Sequence, residues 1–338
     1  MMGTYRLILA LLVFLSHFGV YFFSRNEGVF AVISFFLLSG FVMTAQIEKH
    51  YSGWRGIRYF YLDRLMRLYP QFLFYLVLSL IVVLLIHPAN HWVGGVTFEK
   101  FVLNMLVFPL NINWMVGLSD SVLMPQTWSL ALEMCFYVLI PIILAGKFRA
   151  TALFLSLGIF ALAVFHILDP VIFGYRLIPG TLFFFLCGSL LDSKEAISER
   201  QLKAVWLLLA VLFFLHSLSA SSQEPYIPEV LCGFLIGLPI VTVLRNVKSG
   251  AFDTMCGNLS YGVFLNHFLF IWLFLYFDID LVDKLNFLLL VGSCLLSSWI
   301  SFEYVEKPVI ALRKRIRARM ANRIADPVLD PGHHKVVG

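Results

Sequence analysis

Apolar runs of roughly 17–22 residues, the length at which a helix crosses a bilayer, can be placed about ten times along the chain. They fall at 5–24, 29–47, 70–87, 127–146, 151–168, 176–191, 203–219, 228–245, 256–277 and 285–305. Segment 98–116 is also apolar, but Asn104, Pro109, Asn111 and Asn113 interrupt it, and we read it as a re-entrant or interfacial piece of a long external loop. The pattern predicts an all-α, polytopic membrane protein of about ten transmembrane helices.

Composition removes the soluble alternative. Of 338 residues 60% are hydrophobic and 13% charged, where a soluble domain carries about 25% charge. The 34 Phe, 13 Tyr and 7 Trp suit a lipid-facing surface with interfacial aromatics. The basic residues then orient the chain. With the N-terminus inside, 21 of the 25 Lys and Arg fall on the cytoplasmic side, leaving Arg25, Lys100, Arg176 and Lys284 outside. That bias supports ten spans with both termini cytoplasmic, and making 98–116 a full span would scramble it. No small-x-small site precedes Phe18, so the first span is expected to be retained. We expect a membrane-embedded domain over 1–310 and a basic cytoplasmic tail over 311–338. The tail begins as a partly amphipathic helix on anionic lipid and ends in disorder. Five scattered cysteines, and the isolated pair His333 and His334, give no metal-ligand spacing. Neither a metal nor a nucleic-acid partner is expected.

Ionisable groups are expensive inside a membrane and are functional candidates there. Glu133 is the one carboxylate well inside an expected span, and His17 and His267 are the histidines at depth. Counting inward from the expected outer ends, His17 and Glu133 both lie ~10 Å below the outer surface at 1.5 Å per residue. They are expected to meet, the acid fixing the imidazole as a general base. Arg6 and His17 are eleven residues apart, about 20° past three full turns and so on one helix face, ~16 Å apart along the axis. A thin substrate with phosphate at one end and a reactive carbonyl at the other spans such a gap, as a coenzyme A thioester does. Arginine matches phosphate better than lysine. The following inner loop adds Arg55, Arg58, Arg64 and Arg67, with Arg64 and Arg67 on one face at i, i+3. Inward-facing positive charge accounts for these residues even without a ligand.

At these residues the chain resembles acyltransferase family 3, membrane enzymes that transfer acyl groups, commonly acetyl, to sugars of surface polysaccharides. Arg6 and His17 match its Arg-x10-His element, and FFLLSGFVMT (35–44) its second span. RLMRLYP (64–70) resembles its Arg-x-x-Arg-x-Tyr-Pro signature and TWSLALEMCFY (127–137) its Trp-Ser-Leu-x-x-Glu element. LSYGVFLNHFLFI (259–271) and FEYVEKP (302–308) are similar to its last two spans. Met134 stands where a second acid is usual, and Asn266 where an aromatic precedes the late histidine.

The resemblance implies His17 and Glu133 as catalytic residues, and Arg6, Arg64 and Arg67 as binding the acyl donor, acetyl-CoA. Ser39, Gly40, Ser260 and Tyr261 are expected along the donor path, where small residues permit close approach. Asn111, Asn113, Trp114, Asp120 and Trp128 are expected to contact a sugar. The acceptor is expected to be a surface polysaccharide such as lipopolysaccharide O-antigen, or a lipid-linked sugar, at a bacterial inner membrane. The rival reading is a transporter or flippase of a lipid-linked saccharide with Glu133 and His17 as a proton relay. It would lead one to expect repeated halves, and none is evident in the sequence.

Overall fold

A helix satisfies every backbone polar group within its own segment, so apolar runs of this length fold as helices in lipid. The computed structural model describes residues 1–20, 25–51, 53–87, 92–192, 196–218, 226–279 and 283–325. His91, His333, His334 and the end of the tail (326–338) lie outside the described residues. Among the described residues every regular element is helical: α1 (Met2–His17), α2 (Glu27–His50), α3 (Gly53–Ile86), α4 (Phe98–Met105), α5 (Phe108–Asn111), α6 (Trp128–Ala145), α7 (Arg149–Val164), α8 (Ile178–Leu190), α9 (Ala196–Ser217), α10 (Ile227–Leu244), α11 (Ala251–Tyr276), α12 (Lys284–Ser301) and α13 (Lys307–Ala325). A 3-10 turn (Pro125–Thr127) leads into α6, and π turns (Ile172–Arg176, Phe302–Glu306) precede α8 and α13. Eight helical stretches among the described residues are long and apolar enough to cross a membrane, and α1 and α7 are shorter apolar helices. The chain is a multi-pass membrane protein.

The first span departs from its expected bounds. α1 stops at His17 because Gly19 takes a left-handed backbone, φ +79°, and the Phe18, Gly19 and Val20 amides fold back onto the carbonyls of the last turn. His17 is therefore the final residue of its helix, not one buried seven residues inside a longer span.

α1 and α11 run parallel, in register at an offset close to 250 residues. At one end the Thr4 amide and hydroxyl donate to Asp253 Oδ1 at 2.7 and 2.9 Å; at the other His17 meets His267. Gly3 makes the close start possible, since a Cβ there would strike the Asp253 carbonyl. α2 packs against α8 and α10 through further small residues. Gly40, expected beside a donor path, instead presses its bare face on the Phe185 backbone of α8.

Segment 98–116 does not cross the bundle. It is broken into α4 and α5, of 8 and 4 residues. Asn104 folds the segment onto itself, donating to the Lys100 and Ser121 carbonyls (2.8 and 2.7 Å) and accepting from the Leu123 amide at 3.1 Å. At the far end of the chain α13 passes 310 without a break, so the expected domain boundary falls inside one helix.

Candidate active site

A cavity of about 380 Å³ opens between α1, α2, α3, α6, α11 and α13. Its lining is polar at the Arg6 end of the bundle and turns apolar toward the His17 end. Five arginines reach it: Arg6, Arg64, Arg67, Arg313 and Arg317. Four of these are held by acids. Arg64 pairs with Asp63 and donates to Gln46 Oε1 at 2.7 Å. Arg67 pairs with Glu306 and lies over the Tyr261 ring, 5.5 Å from its centroid. Arg313 grips Asp63 with two hydrogen bonds, at 3.0 and 2.7 Å, and Arg317 adds a third at 3.2 Å. Asp63 is thus the shared counter-ion of three arginines, which fixes their guanidinium groups at the cavity wall and cancels only part of their charge.

Arg6 differs from the rest. Among the described residues it makes no hydrogen bond or ion pair, and its neighbours in charge are Arg64, Arg67 and the Glu133 carboxylate. A half-buried guanidinium with its donors free is ready to take an anion. Glu133 lines the same cavity, and one of its oxygens is engaged twice: Ser39 donates to Oε1, and so does Tyr137 at 2.5 Å. Ser39, Ser260 and Tyr261 also line the cavity, and the Tyr261 hydroxyl donates to the Leu68 carbonyl at 3.0 Å.

The expected meeting of His17 with Glu133 does not occur. His17 Nδ1 lies 3.2 Å from His267 Nε2, with the rings nearly parallel (18°) and their centroids 5.2 Å apart. The depths of His17 and Glu133 differ, since Ser16 sits against Gly28 at the start of α2 whereas Glu133 meets Ser39 eleven residues further along that helix, and the face of α1 that carries His17 is turned to α11. The pair has a definite polarity. His267 Nδ1 is 3.2 Å from the Val263 carbonyl, which only accepts, so the neutral His267 ring puts its proton there. Its Nε2 is then an acceptor, His17 must donate from Nδ1, and the His17 Nε2 lone pair is left free. His267 is completely buried while His17 retains exposed surface. A buried ring orienting an accessible one is the layout of a general base and its positioning partner.

The histidines are not in the cavity wall. Its last lining residue on α11 is Phe264, whose ring centroid is 6.4 Å from that of His267 and 6.4 Å from that of Phe35. A ligand reaching from Arg6 to His17 has to pass this phenylalanine.

At the His17 end, Trp114 and Trp128 come together around Arg176, whose guanidinium carbon is 5.1 Å from each ring centroid. Asn113 is buried and its carbonyl accepts from the Leu118 amide at 2.9 Å; Asn111 is likewise buried. Asp120 is exposed and bound to Lys100 at 2.7 and 2.8 Å, a contact that lowers its carboxyl from the usual range.

Sequence reasoning missed Gln46, Tyr137, Arg313, Arg317 and Arg176. The tail arginines were expected on lipid; the signal that places them is Asp63, an acid inside an arginine-rich stretch that needs partners. Tyr137 follows Glu133 by one helical turn, the spacing at which two side chains meet.

Residues 4–303 match the family model of an acyltransferase domain. A protein of Aquifex aeolicus (strain VF5), described as an uncharacterized protein, is 33% identical over 198 residues, covering 56% of this chain and 89% of its own. No solved structure matches the chain.

Proposed function

The chain belongs to this acyltransferase family, which makes it a membrane acyl-transfer enzyme, and from that premise we propose an O-acetyltransferase that draws acetyl-CoA from the cytoplasm and acylates a hydroxyl of a surface polysaccharide or its lipid-linked precursor. The setting is a bacterial cytoplasmic membrane, with both termini inside. The observation that carries this reading is Arg6, free of hydrogen bonds and ion pairs among the described residues, in an arginine-lined cavity, on the same helix as a histidine whose Nε2 is left free ~16 Å further along.

The phosphates of the donor take the free donors of Arg6, with Arg64, Arg67, Arg313 and Arg317 supplying the surrounding positive field. The pantetheine arm runs along the apolar part of the cavity past Phe264, which must turn aside to admit it. At the far end His17 Nε2 takes the proton of the acceptor hydroxyl as its oxygen attacks the thioester carbonyl. The tetrahedral intermediate collapses with cleavage of the C–S bond, and the proton on His17 Nε2 passes to the leaving thiolate, so ester and free thiol form and the imidazole is regenerated. Glu133 enters this scheme as a side chain of the donor-cavity wall held by Ser39 and Tyr137, not as the partner of His17. The aromatic cluster of Trp114 and Trp128 receives the sugar.

Thiol release from acetyl-CoA by the purified protein, followed with and without a saccharide acceptor, tests the proposal against transport. Acceptor-stimulated release is the expected result. Saccharide movement across a sealed vesicle without any thiol release would establish the transporter instead.

A further inference from the structure

Topology disfavours positive charge at the His17 end, and of the Lys and Arg residues expected there two have an acid beside them: Arg25 with Glu229 at 3.5 Å and Lys100 with Asp120 at 2.7 Å. Lys284 is exposed. Arg176 is half-buried, and among the described residues it has neither an ion pair nor a hydrogen bond; its Nε is fully buried without a partner. What holds it is aromatic. Trp114 and Trp128 each lie 5.1 Å from its guanidinium carbon. Trp128 meets Tyr175 edge-on at 4.7 Å, and Tyr175 stacks on Tyr226 at 5.4 Å and 16°. Cation–π contact stabilises the charge yet offers no acceptor to the N–H groups, so the guanidinium fork remains unspent.

The cluster is joined to the reacting histidines. Gln126, two residues before Trp128, donates Nε2 to the carbonyls of Phe264 and Leu265 at 3.1 and 2.8 Å, on the turn of α11 that leads into His267. Trp128, Arg176 and Tyr226 stand at the starts of α6, α8 and α10. This is the end of the bundle where α1 finishes, as the contact of Gly28 at the start of α2 with Ser16 shows.

Building on the acyltransferase reading, we propose that Arg176, caged by Trp114 and Trp128, is an oxyanion-binding subsite for the acceptor, which therefore carries a negative group beside the sugar to be acylated. The aromatic rings take the apolar faces of the sugar and the guanidinium takes the oxyanion through paired N–H donors. That group is either the carboxylate of an acidic sugar or the phosphate of a polyprenyl carrier; the chemistry recognised is the same.

The test is equilibrium binding to the full-length protein in zwitterionic-lipid nanodiscs. One arm compares a glucuronate-containing oligosaccharide with its neutral methyl ester; the other compares a polyprenyl diphosphate with the polyprenol. In the arm that matches the natural source the charged probe binds on the order of tenfold tighter, the value of one charge-assisted contact. Arg176→Gln removes that ratio and Arg176→Lys keeps part of it. Equal binding of charged and neutral probes in both arms, or a ratio unchanged in Arg176→Gln, overturns the proposal. Should Arg176→Gln not fold, Arg176→Lys decides: a charged-to-neutral ratio and salt dependence equal to those of the wild type overturn the proposal, and a reduced ratio supports it. Thiol release from acetyl-CoA is measured on the wild type in parallel. Its absence would remove the acyltransferase reading while leaving the binding result intact, so the two failures are distinguishable.

Discussion

His17 and His267 form a directional pair, because the Val263 carbonyl fixes one tautomer and that tautomer fixes the next. His267 does not line the arginine cavity and stands behind His17, so its removal is expected to slow chemistry without weakening donor binding. In steady-state kinetics His267→Ala should lower kcat about a hundredfold, within the range of general-base effects, with KM for acetyl-CoA unchanged. A rise in KM with kcat intact would mean that the residue shapes the donor site instead. At this scale the sequence offered Arg6 and His17 as candidates on one helix face by simple helical arithmetic; Arg6 lines the arginine cavity and His17 does not. The partner of His17 was not legible, because a depth counted along the sequence supposes a helix running to residue 24 where α1 ends at His17, and rotation about a helix axis depends on which helix packs beside it. Glu133 shares the depth of His17 only if α1 runs on to residue 24; it instead meets Ser39 and Tyr137 deeper in the bundle.

Between elements, two contacts carry consequences. α1 is laid against α11 by Gly3, where no Cβ can fit beside the Asp253 carbonyl. Gly3→Val should force the helices apart and destabilise the fold by about 1–3 kcal/mol, the usual range for overpacking, seen as a lower thermal midpoint in detergent; an unchanged midpoint would show that the contact is slack. α13 is fastened to α3 by Asp63 through Arg313 and Arg317. Asp63→Asn should release it and speed tryptic cleavage between Arg313 and Arg317, read by mass analysis of the fragments; equal cleavage rates would place the anchor elsewhere. The sequence pattern identified α13 as basic and helical yet not as part of a cavity wall, since a basic face suits anionic lipid and an acid-lined protein groove equally well. Conversely, 98–116 was readable: its asparagines signalled a segment unable to cross, and Asn104 supplies the hydrogen bonds that close it on itself.

For the whole molecule, the helices set a polar mouth at the Arg6 end and an aromatic rim at the His17 end. The all-helical, multi-pass character followed from hydropathy, with eight stretches among the described residues long and apolar enough to cross where about ten were expected; the extent of α1 did not follow, because one glycine conformation ended it early. The orientation implied by the basic residues predicts that a C-terminal green fluorescent protein fusion is fluorescent and a C-terminal alkaline phosphatase fusion inactive; the reverse pattern would invert the donor and acceptor sides. The most direct measurement of the central claim is acetyl transfer from labelled acetyl-CoA by the purified protein and two variants, with donor binding measured separately. Arg6→Ala should weaken donor binding about tenfold, one charge-assisted contact, and leave kcat largely intact. His17→Ala should bind donor normally and lose transfer by a factor of about 10² or more. Transfer at the full rate by His17→Ala would contradict the account.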